Sequence, residues 1–276
     1  MIDMEQLLEL KFNISSVFSD AKLKLGQAAR DTVTITVDVG DSIYVGYYKK
    51  INTVYMDIPT PSTTDTVLSV SYWNGTEWSA ATVFDETLGL TRSGFIQIDK
   101  GAYDSWEQNE IDSTTMYWLK MDVADTTSEM VFNFVGLMFS DDASLEWENP
   151  YINDTEMLLG NRNHLGFHMA ARDEIIRNLC SKSYYKVKDG QKARIVAWDL
   201  LDIQQVRQAS IFSTLSKIYF NLSDSSDDHW MQKSEKYKQM YEEAIKLAYL
   251  TLDTNDDGET SQSENMATST SVRLFR

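Results

Sequence analysis

Two periodicities divide the chain. From Thr32 onward, Val33, Ile35, Val37 and Val39 alternate with Thr32, Thr34, Thr36 and Asp38. A period of two sends successive side chains to opposite faces, so this stretch predicts a strand with one buried face. The same style continues to about Leu145. Ile43–Tyr48, Val54–Ile58, Phe95–Ile98, Met116–Val123 and Val131–Phe139 predict further strands, and Pro59 and Pro61 mark a loop. Leu68, Val70 and Tyr72 alternate into Asn74-Gly75, two residues that accept the positive φ of a type I′ hairpin turn. Several short strands with turn signals predict an antiparallel β-sandwich, jelly-roll-like, over residues 31–145.

Beyond Glu146 the period lengthens. Asn153 or Asp154 is placed to cap a helix, with Glu156 in reach of Asn153 for a capping box. Leu158, Leu165, Met169, Ile176 and Leu179 then fall near one helical face. Ser183–Val196 breaks the pattern: Tyr184–Val187 and Arg194–Val196 flank Lys188-Asp189-Gly190-Gln191, which could form a small hairpin. Asp202 with Gln205 marks the next helix start. Ile211, Leu215, Ile218 and Leu222 line one face of it, and Trp230, Tyr237, Tyr241, Ala244 and Ala248 line a face of the following helix. A short acidic link, Ser223–Asp228, makes the two an antiparallel hairpin. The second helix is read as running into Leu252-Asp253. The chain is therefore α+β: the sandwich is followed by a helical bundle at 146–260 and a tail at 261–276. Residues 1–30 form a separate N-terminal segment, helical by propensity over Met4–Leu10 and unassigned after Asn13. It either stands alone or joins the C-terminal helices, which would make the β region an insertion.

Composition narrows the function classes. A hydrophobic share of 42% supports real cores and argues against global disorder. The formal charge of −17 argues against a protein that grips phosphates through its overall field. One cysteine, Cys180, has no internal partner and suits a reducing compartment as a small packed hydrophobe. Asp3, Glu5, Glu9 and Lys11 interrupt any leader-like apolar run, and no stretch approaches a membrane span.

Four features carry candidate chemistry. Asp253, Asn255, Asp257, Glu259 and Glu264, with Gly258 at the sharp turn, satisfy the spacing of a Ca²⁺-binding EF-hand loop. Against this, Thr260 replaces the usual hydrophobic anchor, and an acidic helix end closed by glycine explains the same residues. His164 and His168, four apart, could share a metal, but no third ligand is placed by sequence, which favours packing or surface histidines. Trp73, Trp78 and Trp106 could stack on sugar rings or on a partner, or fill a sandwich core. The acidic pairs Asp141-Asp142 and Asp227-Asp228 read as solvated loop charge. No nucleophile elbow, phosphate loop, dinucleotide fingerprint or cysteine cluster is present, so no catalytic residue is assigned.

The helical hairpin with Tyr237, Tyr241 and Ala244, the Asp-rich turn closed by Gly258, and a tail ending in Arg273 and Arg276 resemble the head–tail adaptor (connector) proteins of tailed bacteriophages. The resemblance covers roughly the last third of the chain. It implies a structural virion protein of the neck. Copies, twelve by resemblance, would form a ring that joins the portal protein to tail and neck proteins, and DNA would pass through without specific binding. The tail Val272-Arg273-Leu274-Phe275-Arg276 would dock on a partner. Tyr72–Trp78 with Leu90–Ile96 is similar to sandwich modules of large-phage virion proteins and, in style, to carbohydrate-binding modules. The alternative is thus a glycan-binding, decoration or baseplate module that acts through the sandwich.

Overall fold

A computed structural model describes residues 8–21, 31–99, 104–181, 185–188, 191–224, 228–253 and 265–267. The chain divides into two units, one up to Leu137 and one from Met138. The expected break lay at Leu145–Glu146. Antiparallel sheets make up the first unit and helices dominate the second, an α+β protein.

The first unit opens with β1 (Glu9–Ile14) and β2 (Val17–Asp20), where helix propensity suggested a helix through Leu10. Pairing overrides propensity here: β1 lies antiparallel to β4 (Ser42–Tyr47), with Leu10 opposite Val45 and Phe12 opposite Ile43. The described part of the N-terminal segment thus belongs with the sheets and not with the helices. β4 continues to β11 (Thr114–Val123), then β6 (Leu68–Trp73) and β7 (Trp78–Ala80), and β10 (Asn109–Ile111) also pairs with β11. A second sheet runs β13 (Phe134–Gly136), β5 (Thr53–Asp57), β9 (Gly94–Ile98), β8 (Val83–Asp85). β3 (Val33–Ile35) pairs with β12 (Met130–Phe132). β6 keeps the alternation visible in its sequence, whereas every residue of β4 and β5 is buried. The single strand expected over Val131–Phe139 is split at Asn133. Its backbone N–H donates to the Asp57 carbonyl and its side-chain amide to the Asp57 carboxylate.

Turn chemistry also departs from expectation. Asn74-Gly75 does connect β6 to β7, but through four residues, and only Gly75 of the pair has positive φ. Asn74 instead uses its side-chain oxygen to accept from the backbone N–H groups of Thr76 and Glu77. Among the described residues, strand-to-strand turns of two residues with positive φ at both positions occur at Ser15-Ser16 and Asp112-Ser113. Asp112 is held from a distance: the buried Lys11 donates to its carboxylate at 2.8 Å and to its carbonyl at 3.1 Å.

The second unit contains α1 (Asp142–Glu146), α2 (Thr155–Leu158), α3 (Leu165–Ser181), α4 (Gln204–Leu222) and α5 (His229–Leu247). α4 and α5 form the expected hairpin. Leu215, Ile218 and Tyr219 are buried with Leu145, Ile152 and Met157, and Ile211, Leu222, Trp230 and Tyr237 pack around them. Tyr219 stacks between Trp230 and Tyr237, each ring 5.6 Å away. α5 stops at Leu247, earlier than predicted. Ala248 is extended, and β16 (Tyr249–Thr251) pairs with β17 (Asn265–Ala267). The predicted small hairpin is present as β14 (Tyr185–Lys188) and β15 (Gln191–Arg194).

Gly46 lies opposite Trp118, whose ring fills the space a side chain would take: a Cβ there would sit 2.5 Å from the ring. Trp118 itself is fully buried and donates through Nε1–H to the Asn109 and Thr114 carbonyls. Gly46→Ala is expected to destabilise the first unit by about 1–3 kcal/mol through overpacking, measured by denaturant unfolding. An unchanged midpoint would show that the ring moves aside freely.

Candidate functional site

The residues of the second unit with most chemical potential sit at its first helix. Asp141 caps α1: its carboxylate accepts from Ser144 N–H at 3.0 Å, and Ser144 Oγ–H returns a bond to the Asp141 carbonyl. Asp142, one residue on, points the other way. Its Oδ1 accepts from His168 Nε2–H at 3.1 Å, and both its oxygens lie within 3.3 Å of the His164 backbone N–H. His168 Nδ1 in turn accepts from Ser140 Oγ–H at 2.8 Å, and Ser140 Oγ lies 2.8 Å from Ser210 Oγ on α4. The Asp142 carboxylate fixes this tautomer, because it can only accept. The acidic pair read as solvated charge is therefore a helix cap and the anchor of a buried network.

Local sequence explains the placement. In α3 the buried positions are Leu165, His168, Ala171, Ile175 and Leu179, at steps of three and four. His168 lies on that buried stripe, while Met169 and Ile176, predicted to face inward, are half-buried. His164 precedes the helix. Its Nε2–H donates to the Ile152 carbonyl at 2.9 Å. Both histidines are buried, as packing residues would be, and no group of three His, Cys, Asp or Glu arranged to hold a metal occurs among the described residues.

The order Ser140–His168–Asp142 is that of a hydrolytic triad, in which the acid orients the base and the base takes the serine proton. Access decides what it can do. Ser140 and Ser210 are both fully buried, so in this arrangement a substrate carbonyl has no route to the Ser140 oxygen. The network acts as an internal polar tie among α1, α3 and α4. Two further ties join the helices. Glu174 of α3 accepts from Lys217 and Ser213 of α4, and the Asn178 amide pairs with the Tyr241 hydroxyl of α5. Burial, reinforced by the Glu174 charge, pushes the Tyr241 phenol up to about 12.

The other predicted sites fare unevenly. Trp106 is 2% exposed and lies among Tyr72 and Tyr117, so neither ring face is available to a sugar. Trp73 and Trp78 face each other across β6 and β7, 5.7 Å apart and nearly edge-on, both half-buried. Asp253, first residue of the calcium-like loop, is fully buried, and its N–H donates to the Asp199 carbonyl at 2.8 Å. The loop is flanked by the paired strands β16 and β17 where an EF-hand has helices. Asn255, Asp257, Glu259 and Glu264 lie outside the described residues, as do Asp227 and the tail residues Val272, Arg273, Leu274, Phe275 and Arg276. Gln205, expected to help cap α4, instead exchanges two hydrogen bonds with Thr251 of β16, at 2.7 and 2.9 Å. Asp154 flanks α2 without a side-chain cap bond, and the Asn153 amide donates to Glu146.

Outside the tie, the second unit exposes large apolar side chains: Trp147 at 89%, Leu247 at 84% and Tyr151 at 71%. No periodicity marks them, since each lies at or beyond a helix end.

Burial raises the Asp142 pKa, but the His168 bond, the charges of both histidines and the His164 N–H outweigh it, so the carboxyl sits below its ordinary 3.8. Burial holds His164 below its ordinary 6.5 against the pull of Ile152 and Asp142. Both groups make the unfolded state the better proton acceptor on acidification. The His164 contribution is complete above pH 6.5 and declines as pH falls from there through its folded pKa; the Asp142 contribution declines below pH 3.8. Unfolding free energy is expected to drop on going from pH 7.5 to 5, by no more than about 1.4 kcal/mol per pH unit per proton, and His164→Gln should flatten that drop. An identical pH profile in the variant would contradict this. Ser140→Ala leaves the buried His168 Nδ1 without its 2.8 Å donor and should lower unfolding free energy by about 1–3 kcal/mol; a neutral change would show that the tie contributes nothing. No family model matches the chain, and no curated protein matches it.

Proposed function

We propose that the protein is a structural component of a phage virion, a head-to-tail adaptor whose helical unit assembles into a ring joining portal to tail and neck proteins. The observation that carries this reading is the exposure of Trp147, Tyr151, Leu247 and, at 62%, Phe220 on a unit whose reactive-looking residues are shut inside. Large aromatic side chains open to water are what an assembly surface presents before its partner arrives. The α4–α5 hairpin, tied to α3 by Glu174–Lys217 and Asn178–Tyr241, gives such a surface a stiff support. No helix among the described residues is long and apolar enough to cross a membrane. A chain of formal charge −17 suits a ring, twelve-fold on this reading, through which DNA passes without being held.

In this proposal the two sheets of the first unit pack as a β-sandwich and serve as a platform for fibres or neighbouring neck proteins, and the helices form a bundle. The glycan-binding alternative keeps Trp73 and Trp78 but loses Trp106 to the core. Mixing the full chain with the portal protein of the same phage tests the adaptor role. Electron microscopy is expected to show ring-shaped particles on the portal. A monodisperse monomer that ignores portal and binds oligosaccharide would overturn it.

A further inference from the structure

The segment from Glu146 to Glu156 is unusual in its exposure. Trp147 and Tyr151 stand open to solvent, and Glu146, Glu148, Asp154 and Glu156 of the same segment are exposed with them. The backbone beneath is fixed. Ile152 is buried in the helical core, and the Asn149 amide donates to the Tyr219 hydroxyl at 2.8 Å. Glu148 lies near enough to Tyr237 to raise its pKa, after burial and the Tyr219 ring. The segment is therefore a rigid aromatic platform with an acidic rim, seated where α4 ends and α5 begins.

We infer that this platform binds the C-terminal tail of a second copy of the chain, with Leu274 and Phe275 against Trp147 and Tyr151, and Arg273 and Arg276 paired with the acidic rim. The inference deepens the adaptor reading and rests on it for its biological meaning, but not for its chemistry. Two arguments select the occupant. The first is complementarity: in a chain with 42 acidic and 25 basic residues, Val272–Arg276 is an apolar–basic peptide, the composition such a rim attracts. The second is reach. The tail starts after Ala267 of β17, which pairs with β16 at the C-terminal end of α5. The platform packs along the first half of that helix, beside Tyr219, Trp230 and Tyr237. A helix of 19 residues spans about 28 Å. Eight residues from Thr268 to Phe275 span about 27 Å only if fully extended. A chain's own tail would have to double back along the helix to reach the platform, whereas a neighbour's tail need not. A contact of this kind uses different surfaces on the two copies, and so propagates into a ring or a filament.

The test uses a labelled peptide, Thr268–Arg276, titrated into the full chain at nanomolar concentration. Fluorescence anisotropy is expected to show saturable binding that weakens with added salt. Trp147→Ala in the full chain should weaken it at least about tenfold, as should Arg273→Glu with Arg276→Glu in the peptide. Trp147 is exposed, so its replacement leaves the fold intact, and the peptide changes need no folding at all. No binding at millimolar peptide, or binding indifferent to Trp147→Ala, overturns the inference. Tail occupancy of the platform that is independent of protein concentration would also overturn it, because the tail would then be acting on its own copy. Failure to bind portal with peptide binding intact would overturn the adaptor role alone.

Discussion

The helical unit depends on one carboxylate. Asp142 holds His168 by its side chain and His164 by its backbone, and through His168 it reaches Ser140 and then Ser210. These residues come from the entry to α1, the start of α3 and the middle of α4. A buried chain of hydrogen bonds of this kind stabilises modestly when complete and costs much more when one member is missing. It therefore selects one packing of the three helices over near alternatives. The aromatic stack of Tyr219, Trp230 and Tyr237 then closes the hairpin against α1 and α2.

The first unit is governed by pairing and shape. Trp118 lies over Gly46, Lys11 secures the Asp112 turn, and Asn133 passes the chain from one strand pairing to the next through Asp57. Both units also expose large apolar side chains, Val17, Val67 and Phe84 among those of the first. The helical unit leaves Trp147, Tyr151, Phe220 and Leu247 open, and the proposed assembly role rests on these residues and not on any buried one.

Much of the fold was legible in period alone. The strands at Ser42–Tyr47, Thr53–Asp57, Leu68–Trp73 and Gly94–Ile98, and the hairpin of α4 with α5, follow from alternation and from three–four spacing. The misses have local causes. Glu9 and Leu10 favour helix by propensity, but their pairing with Gly46 and Val45 decides. Asn74-Gly75 signals a hairpin correctly and its turn type wrongly, because the Asn74 side chain supplies the turn's hydrogen bonds. The candidate site was visible only in fragments. His164 and His168 stood out by spacing, while Asp142 looked like solvated charge and Ser140 and Ser210 like nothing. Partners 26 to 70 residues apart leave no local pattern. Trp147 and Tyr151 gave no signal either, since exposure at a helix end has no period.

The central claim is that the helical unit is an assembly module whose aromatic platform, Glu146–Glu156, becomes covered when copies meet. Amide hydrogen exchange of that segment tests it most directly, compared between dilute full chain and the concentrated or portal-bound assembly. The account predicts slowed exchange across Trp147–Tyr151 on assembly, with the already buried backbone around His168 unchanged. Equal exchange in both states, with assembly independently observed, would contradict it.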